Sequence, residues 1–243
     1  MTATVSSLLA DKDAGSKAIG APGREWLTFG ALRALVAQVE ADLRGFGIGA
    51  TDRVAIVLPN GPEMATAFVT IAQAAVTAPL NPAYQENEFS FYLKDLRAKA
   101  IVVPEGYDGP ALAAAAPLGI TILRLNSNAT EPAGQYHLSG VLAATPAQAG
   151  QPGPDATALI LHTSGTTSRP KIVPLMQSNL VASARNIEAS LALTPADRCL
   201  NVMPLFHIHG LIAAVTASLA AGASVWCAPG FDALKFFGWM KEA

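Results

Sequence analysis

Short, unbroken apolar segments alternate along this chain with stretches of helical spacing, and that alternation constrains the fold more than any other feature. Segment 156–162 reads ATALILH and segment 52–58 reads DRVAIVL. Both are aliphatic, short for a helix, and without the polar alternation of a strand that has one wet face. They predict strands covered on both sides. Further strands are expected at 25–28, 77–80, 100–103, 120–125, 198–203 and 223–228, with a short one near 136–138. Between them, 29–46 places Leu32, Leu35, Val36, Val39 and Leu43 on one helical face, closed by Gly45 and Gly47. Helices are likewise expected at 62–76, with Pro62 in the tolerated first turn, and at 86–96, 110–116, 177–192 and 209–221. Asp232 is expected to cap a last helix running to the chain end. Strands alternating with helices imply an α/β architecture of stacked, mainly parallel sheets with helices on both faces. Ligands of such sheets bind beyond the carboxyl ends of strands. Segment 126–155, rich in Ala, Pro, Gly, Gln and Ser and weakly periodic, reads as a long connection. It is expected to close a first α/β unit, 1–155, before a second sheet begins at 156–243.

Composition narrows the function classes. Lys plus Arg number 16 and Asp plus Glu 18, so the formal net charge is −2. That leaves no bulk positive field for nucleic acid or an anionic membrane. With 51% hydrophobic and 14% charged residues, the chain is not a disordered polyelectrolyte. The longest apolar runs, 71–80 and 211–221, are interrupted by polar residues and fall short of the roughly 20 residues a membrane helix needs. The start, MTATVSSLLADKDAGSK, has neither a basic leader nor an adequate apolar core, so a secretory signal is not expected. Cys199 and Cys227 do not make a disulfide framework and are expected as buried, inert thiols. The expectation is a soluble protein of a reducing compartment, the cytoplasm.

The chemistry is expected just past 156–162, in Thr163-Ser164-Gly165-Thr166-Thr167-Ser168-Arg169-Pro170-Lys171. Gly165 lets the backbone approach a ligand closely. Hydroxyls and backbone N–H groups can converge on phosphate oxygens, Arg169 and Lys171 add charge, and Pro170 stiffens the exit. The stretch is not a Walker loop, because Lys171 is followed by Ile172 rather than Ser or Thr. A polar surface turn is the plain alternative.

TSGTTSRPK resembles the phosphate loop of the adenylate-forming enzymes, a superfamily that includes acyl-CoA synthetases, aryl-CoA ligases and luciferases. A second block, Met203-Pro204-Leu205-Phe206-His207-Ile208-His209-Gly210, is similar to the family's PLFH element. A third, Ala78-Pro79-Leu80-Asn81-Pro82-Ala83-Tyr84 followed by Glu88-Phe89 and Tyr92-Leu93, resembles the family's PLNP segment before a helix. The likeness runs from about Trp26 to the end. Ser168 together with PLFHIHGL resembles the oxalate–CoA ligase branch. Ile172 stands where the family most often has glycine. A β-branched residue resists positive φ, so either the backbone differs there or phosphate binding is weakened.

The resemblance implies an ATP-dependent carboxylate activation with Mg²⁺, and CoA as second substrate. Thr163, Ser164, Gly165, Thr166, Thr167, Ser168 and Lys171 would hold the phosphates, with Thr167 beside the metal. His207 would lie at the carboxylate pocket as the catalytic and acid-binding group; a helix-start residue bonded to backbone is the alternative. His209 is either structural or a second group for a diacid such as oxalate. His162 stands where the family commonly has an aromatic residue and is read as support for the loop or as a strand end. Phe206 is read as packing, His137 carries no role, and Glu63, Glu86 and Glu88 are expected on solvated helix faces. The family's adenine, ribose and hinge motifs and its C-terminal catalytic domain would follow Ala243. The chain is therefore expected to be the N-terminal part of an ATP-dependent acyl-CoA synthetase with oxalate as the favoured acid, inactive alone; the alternatives are a catalytically silent nucleotide- or protein-binding fragment, or part of a fatty or aryl acid–CoA ligase. Self-association through the surface left uncovered is expected.

Overall fold

The structure, a computed structural model, describes residues 3–163 and 170–243. A short 3-10 turn, Val5–Leu8, precedes β1 (Lys17–Gly20), β2 (Leu27–Thr28) and helix α1 (Phe29–Gly45). Then follow β3 (Arg53–Ile56), α2 (Pro62–Ile71), β4 (Val76–Pro79), α3 (Glu86–Leu96), β5 (Ala100–Pro104), α4 (Pro110–Ala115), β6 (Thr121–Asn126) and β7 (His137–Ser139). The later part adds β8 (Thr157–Thr163), β9 (Lys171–Met176), α5 (Gln177–Ser190) and β10 (Arg198–Asn201). A π-helical turn, His209–Thr216, runs into α6 (Ala217–Ala220), followed by β11 (Ser224–Cys227) and α7 (Phe236–Glu242).

The strands form a larger sheet, β7-β6-β5-β3-β4-β8-β9, and a smaller one, β10-β11-β1-β2. Pairing is parallel through the middle of both and antiparallel at β6–β7, β8–β9 and β1–β2. The expected stacked, mainly parallel architecture is what the chain adopts. The expectation that a second sheet begins at 156 is corrected: β8 pairs beside β4 in the first sheet, with Thr77 opposite Leu159. Thr77 strengthens that join by donating from its hydroxyl to the Ala158 carbonyl at 2.8 Å. The smaller sheet instead brings the N-terminal β1 between β11 and β2.

Period-two alternation explains how the larger sheet is buried on both faces. Val54 and Ile56 of β3 face one core with α1 and α2, while Ala55 and Val57 face another with α3 and α4. The first core also receives Val225 and Cys227 of β11, so α1 and α2 lie between the two sheets. On the far side of the smaller sheet Trp226 packs against Trp239 of α7, ring centroids 6.3 Å apart.

Helix α2 ends at Ile71, not at 76, and β-branched Val76 already opens β4. The carbonyls of its C-cap and of the turn that follows are taken by side chains: Gln177 Nε2 donates to Ala72 O at 2.6 Å and Arg44 to Ala74 O at 2.8 Å. Such capture satisfies the acceptors a helix end leaves open. Buried Thr66 and Thr70 on α2 donate to carbonyls of the preceding turn, and Thr70 bonds the Tyr136 hydroxyl at 2.6 Å. Strand β9 was not expected from sequence. Its half-exposed pattern and Pro174 mark an edge strand, where a missing N–H costs least.

Candidate active site

The carboxyl ends of the parallel strands converge on one region. Asn60, beyond β3, accepts at Oδ1 from the Leu205 N–H at 2.9 Å and donates from Nδ2 to the Ala228 carbonyl at 3.0 Å. One side chain thus ties the larger sheet to the end of β11 and to the turn carrying Phe206 and His207. Asn201, at the end of β10, accepts from the Met203 N–H at 3.2 Å and enters the same turn. The turn closes onto the π-helical segment through Gly210. A Cβ there would sit 2.7 Å from the Pro204 carbonyl oxygen, so only glycine fits without displacement. Asn60 was missed from sequence; its signal, an amide in the turn Pro59-Asn60-Gly61, looks like ordinary turn chemistry. Replacing it with alanine is expected to cost about 1–3 kcal/mol of unfolding free energy in urea. Asn60→Asp, which keeps the acceptor and loses the donor, should fall between.

Beside this turn lies a cleft of about 390 Å³ lined by Tyr84, Tyr92, His162, Thr163, Phe206 and His207, among others. It gathers residues from the end of β8, from α3 and from the turn after β10. His207 is exposed, its ring lies 4.5 Å from that of Phe206, and its carbonyl accepts from the Leu211 N–H at 3.2 Å. Tyr84 and Tyr92 are stacked at 4.9 Å; burial first, then Tyr92 itself, raises the Tyr84 phenol above its ordinary range. Burial draws the His162 imidazole below its usual value, and the Asp95 carboxylate opposes that pull. A separate, mostly apolar cavity of about 560 Å³ lies on the other side of Phe206, with Leu58, Met64, Pro82, Leu205 and Phe231 in its wall.

Thr163 and Lys171 face each other across the β8–β9 hairpin. Ser164, Gly165, Thr166, Thr167, Ser168 and Arg169 lie outside the described residues. Ile172 pairs with His162 as an ordinary strand residue and packs into the core, and among the described non-glycine residues only Arg97 and Ala192 have positive φ. The backbone there therefore makes no demand for glycine. His209 is exposed at the first position of the π-helical turn and is not in the cleft wall. Among the described residues no three of His, Cys, Asp and Glu gather as a metal cluster. Glu63 is corrected from a solvated residue to the ion-pair partner of Arg24, and Glu88 accepts from the Gln85 N–H at 2.9 Å as a helix cap. Cys227 is buried and Cys199 partly so, and burial raises both thiols.

The family model described as AMP-binding enzyme matches residues 9–243, nearly the whole chain. The chain belongs to the AMP-binding enzyme family. A probable CoA ligase of Humulus lupulus is 40% identical over 220 residues, covering 86% of this chain and 40% of the relative. An oxalate–CoA ligase of Arabidopsis thaliana is 38% identical over 249 residues, covering 98% of this chain and 48% of the relative. Among solved structures, ATP-bound MatB from Rhodopseudomonas palustris superposes with a TM-score of 0.84 at 29% identity, covering all of this chain and 48% of that one. This AMP-binding chain thus spans less than half the length of these relatives. No described helix of it is long and apolar enough to cross a membrane.

Proposed function

We propose that this chain carries the phosphate- and acid-binding part of an ATP-dependent acid–CoA ligase. A carboxylate oxygen attacks the α-phosphorus of ATP, the bond to pyrophosphate breaks, and an acyl-adenylate forms. The CoA thiol sulfur then attacks the acyl carbon and AMP leaves. The attack brings two anions together, so charge has to be screened and pyrophosphate held. In this reading Thr163, Ser164, Gly165, Thr166, Thr167, Ser168 and Lys171 hold the phosphates, and Thr167 meets the Mg²⁺ that travels with the nucleotide. His207 meets the acid, because a carboxylate taken out of water needs a polar partner; His209 is kept as a candidate for a second carboxylate. The observation that best supports the reading is the common cleft of Thr163 and His207, with Lys171 across the hairpin from Thr163.

A small polar acid, oxalate, is the substrate favoured by Ser168 and PLFHIHGL, with His207 in the cleft as its polar partner. The apolar cavity behind Phe206 favours a second reading, a fatty or aryl acid. Thioester formation with AMP release by the longest form of the gene product, measured across oxalate, acetate, a medium-chain fatty acid and an aryl acid, separates the two. Turnover confined to oxalate supports the first, turnover confined to the apolar acids supports the second, and no turnover with any acid counts against the ligase reading.

The 243-residue chain by itself is proposed to self-associate. Phe231, Leu234, Phe237 and Met240 are exposed together around α7, Leu234 at 96%, a grouping rare on monomers. Light scattering is expected to show mass rising with concentration, and Leu234→Asp with Phe237→Asp is expected to return the monomer. A wild-type chain monomeric throughout would contradict this.

A further inference from the structure

His162 ends β8 with its side chain only 7% exposed, which removes a polar ring from water just before the loop departs. Its Nε2 lies 3.0 Å from Asp95 Oδ2 on α3. Tyr92, one helical turn earlier, meets the same imidazole edge-on at 4.7 Å between centroids, and Tyr84 backs Tyr92. With Asp95 ionised, the neutral imidazole donates its Nε2–H to the carboxylate, a charge-assisted bond. The other groups facing it are the Tyr84 and Tyr92 phenols and, across the cleft, His207. On the hairpin side His162 is registered with Ile172, and the next pair is Thr163 with Lys171. Helix α3 therefore grips the hairpin one residue pair below the two proposed phosphate contacts.

We propose that Asp95 and His162 form a pin that fixes the loop end of the β8–β9 hairpin, making both positioning residues for the nucleotide phosphates, not ligands of the acid. This rests on the nucleotide reading above. The ring packs on Tyr92 and adds a donor that a phenyl would lack.

The test uses the longest form of the gene product and two readouts. In acid-dependent ATP–pyrophosphate exchange, Asp95→Ala and His162→Phe are each expected to raise KM for ATP about three- to tenfold. The double variant should be no worse than either alone, and KM for the acid should stay within about twofold. His162→Gln, which retains an N–H donor, should recover most of the loss. Deuterium uptake should rise at 157–163 and 171–176 in Asp95→Ala and His162→Phe, a readout that needs no nucleotide. Unchanged ATP KM in both single variants, or effects that multiply in the double variant, overturns the pin. If the wild type shows no exchange with any acid, the nucleotide reading fails instead, and unchanged deuterium uptake then overturns the pin on its own.

Discussion

Replacing Arg44 with alanine lowers the free energy of unfolding by about 3–5 kcal/mol. Arg44, in the last turn of α1, is 6% exposed, and its guanidinium donates to three carbonyls: Ile48 at 2.7 Å, Ala74 at 2.8 Å and Gly150 at 2.8 Å. Those acceptors belong to the turn after α1, the turn after α2, and the long connection before β8. Truncation strands the carbonyls of fully buried Ile48 and Ala74, while that of exposed Gly150 can turn to water, and a charged donor's hydrogen bonds are stronger than neutral ones. Arg44→Lys keeps the charge but not the fork, so it should recover a minor part. Urea denaturation with an unchanged slope is the measurement. A loss below about 1 kcal/mol would show that the three bonds contribute little net stability.

His207→Ala is expected to lower kcat/KM for the acid about 10²-fold, the scale for loss of one preorganised polar contact at a reacting centre. Stability should change little, since the side chain is exposed and its ring touches mainly Phe206. KM for ATP should move far less than KM for the acid, because the proposed phosphate contacts sit on the hairpin and His207 sits on the turn after β10. Equal losses for both substrates would remove the acid-binding role. Chemical rescue by added imidazole would strengthen it.

Much of the fold was legible because burial on both faces leaves an unmistakable pattern. The runs around Val54–Ile56 and Ala158–Ile160 are strands for the reason the sequence implies: both of their faces meet cores. Helix α3 was readable to the residue through Phe89, Tyr92, Leu93 and Leu96, whereas its Gln85–Glu88 cap emerged only in the structure. Sheet membership was not legible. Nothing in KAIG announces that β1 pairs with β11, and β8 reads equally well as the start of a new sheet or the continuation of the old one. The end of α2 was misjudged because its stop comes from distant Arg44 and Gln177, not from a local glycine or proline. In the candidate site, Thr163, Lys171 and His207 stood out by motif. Asn60 and Asp95 did not, since an amide in a turn and a carboxylate on a helix acquire meaning only from what they touch.

The measurement that bears most directly on the central claim is ATP–pyrophosphate exchange with oxalate by the longest form of the gene product, wild type beside Lys171→Ala. The expected result is exchange that requires the acid and falls about 10²-fold or more in the variant. Exchange that ignores Lys171, or none with oxalate or any other acid, would contradict the assignment of this hairpin and cleft to carboxylate activation.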